Sequence, residues 1–140
     1  MNASLKPIVV IGLAIAVMAA VSLYMHGSGK EVVPWREDYT AARAEAAAAN
    51  KPVLLYFTAP WCGPCDYMKR TTWASNDVKD SLAGYVPVKV NIDNYADLAR
   101  QFGIETIPRV FVIEPSGRVV RDYNGAMTAE EFVAWIGKRS

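Results

Sequence analysis

Cysteine and histidine are scarce in this chain of 140 residues, which holds two of the first and one of the second. Structural zinc takes four Cys or His ligands, and Cys62, Cys65 and His26 supply three, with His26 far along the chain from the pair. That count leaves zinc only a site shared between subunits. Spare thiols are also missing, since both cysteines fall in one stretch, Trp61-Cys62-Gly63-Pro64-Cys65. A chain without stray thiols suits an oxidising compartment. Net charge is lacking too: the formal value is +1, and all fourteen acidic and all but one of the fifteen basic residues lie beyond the amino-terminal apolar run. The remainder is formally neutral and carries no bias toward nucleic acid or anionic lipid. No internal repeat occurs, and the length allows one domain plus a targeting or anchoring segment.

What is present is a pair of sulfurs at a spacing that suits reversible disulfide chemistry. Two intervening residues let a strand-to-helix turn bring the sulfurs within bonding distance, and Gly63-Pro64 supplies and stiffens that bend. A Cys62 at the amino end of a helix has its thiolate favoured by unpaired backbone N–H groups and by the helix dipole. Cys65, one turn further in, is then the resolving thiol. A purely structural bridge across two residues closes almost no loop and stabilises little, so redox chemistry is the stronger reading.

Ile8 to Met25 runs for eighteen residues without a charge, with Lys6 before it. Such a run belongs in lipid or in a translocon, and both a signal anchor and a cleaved signal peptide fit it. Positive charge is retained on the cytoplasmic side, so the domain is expected outside the cytoplasm. The organisation read from this is residues 1–25 as anchor or signal peptide, 26–32 as a flexible tether rich in Gly and Ser, and 33–140 as the folded domain.

Within the domain, the alanine-rich stretch from Tyr39 to Asn50 predicts a helix closed by Asn50-Lys51-Pro52. Val53 to Phe57 is a short apolar run of the kind buried on both faces of a sheet. Helix is expected over Asp66 to Thr72 and around Asp77 to Ala83, and a strand over Tyr85 to Ile92. Asp93 or Asn94 is suited to cap the next helix, which carries Leu98, Ala99 and Phe102 at helical spacing. Arg109–Ile113 and Arg118–Arg121 flank a Pro/Gly turn and read as a hairpin. Thr128-Ala129-Glu130-Glu131 is a capping box before a final helix with Phe132, Trp135 and Ile136 inward. This order describes an α/β fold with a mixed central sheet covered by helices on both faces.

Trp61-Cys62-Gly63-Pro64-Cys65, followed by Phe102-Gly103-Ile104-Glu105-Thr106-Ile107-Pro108 and then Asn124-Gly125-Ala126, resembles the thioredoxin superfamily through most of Val53 to Gly137. Lys51 to Phe57, with the long helix after the CxxC, looks closer to the branch that includes the periplasmic thioredoxin-like domains of DsbD-type electron conductors and related anchored thioredoxins. The resemblance implies the thioredoxin fold, a cis Ile107–Pro108 bond facing the disulfide, and a substrate groove lined by Pro60, Trp61, Ile107, Gly125 and Ala126. Independently, a cis X–Pro bond costs little and turns the chain so that backbone groups of Ile107 can face an extended peptide. One departure stands out: thioredoxin's buried aspartate before the CxxC is matched here by Tyr56, while Lys89 matches the lysine that pairs with it. A tyrosine hydroxyl, with an ordinary pKa of about 10, is a poor base at neutral pH. Tyr56, Lys89, Glu45 and water are therefore the candidates for proton handling or tuning.

The expected activity is that of a protein-disulfide reductase working through a Cys62/Cys65 dithiol–disulfide cycle, with no cofactor and no metal. The Gly-Pro pair resembles reducing thioredoxins, which points to protein disulfides as substrates and a membrane electron donor of the DsbD/CcdA type. An oxidase or isomerase, or a client-binding module without catalysis, are the alternatives. The expected location is the periplasm, anchored to the inner membrane or cleaved and released.

Overall fold

The structure, a computed structural model, describes residues 5–25 and 29–138, and the side chains of α1 over residues 7–21. His26, Gly27 and Ser28 of the expected tether lie outside the described residues. The continuous apolar run becomes β1, Val53–Thr58, with every residue but the last buried. It is the second strand of a four-stranded sheet in the order β2-β1-β3-β4, where β2 is Val86–Asn91, β3 Arg109–Ile113 and β4 Val119–Asn124. β2 runs parallel to β1, while β3 and β4 are antiparallel to their neighbours. The mixed sheet expected from the element order is therefore present.

Side chains alternate across a strand, and this splits β1 between two cores. Leu54 and Tyr56 pack on one side with Met68, Trp73, Val78 and Phe132. Val53, Leu55 and Phe57 pack on the other with Ala42, Ala46 and Phe111. The first side is covered by α3 (Gly63–Arg70), α4 (Asn76–Ser81) and α6 (Ala129–Gly137), the second by α2 (Tyr39–Ala48) and α5 (Ala96–Gln101). Burying a side chain such as Phe132 contributes about 1.5–3 kcal/mol before cavity terms.

Local signals explain most boundaries. Asp38 caps α2 through a bond from the Ala41 N–H, and Asn50 follows at φ 52°, in the left-handed region where Asn is tolerated. The Thr128–Glu131 capping box forms reciprocally at α6. Gly117, at φ 95°, closes the hairpin turn with its N–H on the Glu114 carbonyl at 2.8 Å. At α5 the expectation fails: the N-cap is Tyr95 and makes no side-chain cap bond. Asp93 and Asn94 precede it in a turn, and the Asp93 N–H is itself taken by the Asn91 side chain at 3.0 Å.

The chain joins the domain before Val33. The Val32 N–H donates to the Trp73 carbonyl at 2.8 Å, and Arg36 forms a parallel bridge to Val88 on the outer edge of β2. Residues 29–36 thus form a strap that is tied to the α3–α4 connection at Val32 and meets the outer edge of β2 at Arg36. α1, Leu5–Met25, stands outside both cores, with Ile8, Val9, Leu13 and Met18 all more than 60% exposed. Among the residues whose side chains are described, no helix is long and apolar enough to cross a membrane.

Candidate active site

The turn between β1 and α3 sets the sulfurs. Cys62 is the N-cap of α3, its Sγ accepting the Cys65 N–H at 3.2 Å, with Pro64 in the first helical turn where a missing N–H costs nothing. Cys62 and Cys65 are joined as a disulfide with Cα atoms 5.2 Å apart, and both are buried. In the dithiol state the same N-cap geometry stabilises negative charge on Cys62, because the free N–H groups and the positive end of the helix point at its sulfur. Ala59, Ile92 and Ile107 pack around the pair.

Opposite the disulfide, the Ile107–Pro108 bond is cis and the Ile107 carbonyl oxygen lies 3.7 Å from Cys62 Sγ. The Gly125 N–H donates to the Pro108 carbonyl at 2.9 Å, which brings the Gly125-Ala126 loop beside the same turn. Gly125 sits at φ 113°, where a side chain is strained. Trp61 is 67% exposed. A groove lined by Trp61, Cys62, Ile92, Ile104 and Ile107 passes over Cys62 and is mostly apolar. Cys62, Cys65, Trp61, Ile107, Pro108, Gly125 and Ala126 are therefore neighbours in space.

Behind the disulfide, Tyr56 and Lys89 are register partners on adjacent strands and face α3 together. The Tyr56 hydroxyl is buried with no hydrogen-bond partner, as is the indole N–H of Trp73, whose ring centroid is 4.9 Å away. Burial pushes the Tyr56 hydroxyl above its ordinary value; Thr58 and Trp73 pull weakly the other way, though neither reaches hydrogen-bond geometry, and the Glu31 charge adds to the rise. Lys89 is not left without a partner: its Nζ is 2.8 Å from a Glu31 carboxylate oxygen, and both side chains are mostly buried.

Glu45 is not part of this site. It rides on α2, across the sheet from Tyr56, and pairs with Arg36 at 2.7 Å in the open. The Arg36 hydrogen bond holds its carboxyl below the usual carboxylate range. The carboxylate that the sequence reading missed is Glu31, which fell in the expected tether. Its signal was a lysine in a half-buried strand position that needs a counter-charge. Among the described residues no group of three His, Cys, Asp or Glu side chains is arranged to hold a metal ion.

Comparison with known proteins agrees with this geometry. The chain spans about half the length of chloroplastic thioredoxin Y from Oryza sativa subsp. japonica, being 33% identical over 89 residues, which are 63% of this chain and 51% of that one. Thioredoxin from Haemophilus influenzae is 35% identical over 88 residues, 62% of this chain and 78% of the relative. Among solved structures, the C-terminal domain of DsbD from Neisseria meningitidis in its reduced form superposes with a TM-score of 0.59 at 25% identity, covering 69% of this chain and 90% of that domain. The model of the thioredoxin-like domain matches residues 39–140, and the chain belongs to that family.

Proposed function

We propose that this chain is a thiol-disulfide oxidoreductase that reduces disulfides in other proteins outside the cytoplasm. The observation that carries the reading is the placement of Cys62 Sγ at a helix N-cap, beside the Ile107 carbonyl and under an apolar groove. The Cys62 thiolate attacks a sulfur of the substrate disulfide, and the other substrate sulfur leaves as a thiolate. Cys65, losing its proton, attacks the Cys62 sulfur of the mixed disulfide; the intermolecular bond breaks, Cys62–Cys65 forms, and two electrons have passed to the substrate. The groove holds an extended segment of the partner, with Trp61 and Gly125-Ala126 at its rim.

Electron supply by a membrane donor of the DsbD/CcdA type is supported by the likeness to a DsbD C-terminal domain. Attachment through the amino-terminal helix is supported by its apolar side chains, which pack on neither core. Lys6 before the apolar run favours a periplasmic domain.

Cys65→Ser tests the reading directly, because a chain that cannot resolve its mixed disulfide retains both its substrate and its electron donor. Covalent capture of periplasmic partners, lost in Cys62→Ser, is the expected outcome. Insulin-type disulfide reduction that survives Cys62→Ser overturns it, and a reduction potential near those of strong periplasmic oxidants overturns the direction.

A further inference from the structure

A cavity of about 300 Å³ opens directly behind the disulfide, lined by Glu31, Tyr56, Thr58, Cys65, Lys89 and Asn91. A water occupies about 30 Å³ and needs two to four polar partners, so this space accommodates several. Resolving the mixed disulfide requires that Cys65, buried on the inner side of the turn, lose a proton. The groups facing the cavity with a charge or a titratable proton are few. From β1 comes Tyr56, whose neutral hydroxyl is held so by burial. From β2 comes Lys89, whose Nζ is engaged with the Glu31 carboxylate. From α3 come Lys69 and Asp66, the latter about half exposed and paired with Arg70 at 2.8 Å. From the strap comes Glu31, whose side chain is only 17% exposed.

We propose that Glu31, delivered by the strap between α1 and α2, is the base that takes the Cys65 proton through water in this cavity. The step rests on the dithiol–disulfide cycle proposed above. The Cys65 S–H bond breaks, the proton passes through water to a Glu31 carboxylate oxygen, and the new thiolate displaces the substrate thiolate from Cys62. Glu31 then returns the proton to solvent or to the departing thiolate, so no external oxidant or reductant enters the step. Lys89 fixes the carboxylate by its 2.8 Å contact. The strap is fixed by the Val32–Trp73 hydrogen bond and the Arg36–Val88 bridge.

The test uses the full chain, reduced, mixed with dithiobis-nitrobenzoate. The first chromophore leaves when Cys62 attacks the reagent, and the second when Cys65 attacks Cys62. In Glu31→Gln the first release is expected to be unchanged and the second slowed about a hundredfold near neutral pH, the low end of what a positioned base supplies. The deficit should shrink as pH climbs toward the free-thiol value of about 8.5, and Glu31→Asp or added formate should restore part of the rate. An unchanged second release overturns the proposal, as does a slowing that pH, formate and Asp all fail to relieve, or one produced by Asp66→Asn and not by Glu31→Gln. A first release that persists in Cys62→Ser strikes the oxidoreductase reading instead. Because the first release also reports folding, a misfolded variant cannot imitate the expected result.

Discussion

The Trp61 indole N–H donates to the Asp93 carboxylate, at 3.1 and 3.2 Å from its two oxygens, and so pins a largely exposed ring at the edge of the groove. Asp93 is thereby diverted from capping α5. Asp93→Ala frees the ring, and losing one such bond, worth about 1 kcal/mol, should raise KM for a protein disulfide about fivefold with kcat little changed. Steady-state reduction of a protein substrate measures this; an unchanged KM would show that Trp61 needs no anchor.

Tyr56→Phe removes a buried hydroxyl that has no partner. Such a group costs about 1–3 kcal/mol to bury, so the variant is expected to be as stable as the parent or more so in urea titration. The sign with pH follows from the raised hydroxyl pKa. Above about pH 10 the unfolded tyrosine ionises while the buried one stays protonated, so stability falls as pH rises through that range. In Tyr56→Phe this alkaline decline should weaken, which thermal unfolding across pH 9–11, a range set by the roughly pH 10 ordinary value, will read.

Glu45→Gln should leave both phases of the dithiol reaction unaltered, since Glu45 and Arg36 meet on the far side of the sheet. Its effect on stability is expected at neutral pH and should vanish in acid. A carboxyl held low by Arg36 contributes above its unfolded pKa and loses that contribution as pH falls through the folded value. Urea midpoints of the two chains, compared at low salt, should differ slightly at neutral pH and converge once the carboxyl is protonated. A changed rate of the second chromophore release would place Glu45 in the proton path after all.

Phe132→Ala opens a hole in the core shared by α6 and the buried ring of Trp73, whose centroid is 5.0 Å from that of Phe132. A loss of about 3–5 kcal/mol is expected from chemical denaturation. Thr128→Ala breaks the capping box at the same helix and should cost about 1 kcal/mol. If Thr128→Ala costs as much as Phe132→Ala, α6 is held by its cap and not by its packing.

Much of this was readable along the chain because it depends on neighbours in sequence. The apolar run of β1, the hairpin turn at Gly117 and the capping box at Thr128 each announce themselves within a few residues. The cysteine pair did so too, and α3 starts at Gly63, earlier than the Asp66 expected, because the first turn is built on Cys62 as cap. What stayed hidden depends on register. Glu31 and Lys89 lie 58 residues apart, and only the course of the strap toward β2 joins them. The choice between Glu45 and Glu31 needed the knowledge that α2 lies across the sheet from Tyr56.

The stretch shared with the thioredoxin-like family opens at residue 39, whereas the strap that carries Glu31 and borders β2 ends just before it. Inherited border and physical border do not coincide. A chimera spliced at residue 39 onto another protein's tether would import both sulfurs, the groove and the helices, yet leave Lys89 facing a cavity without its carboxylate and β2 with a bare outer edge. Such a hybrid should be the more prone to edge-to-edge association, so exchanging the residues before position 39 among these proteins would alter the site as well as the chain's beginning.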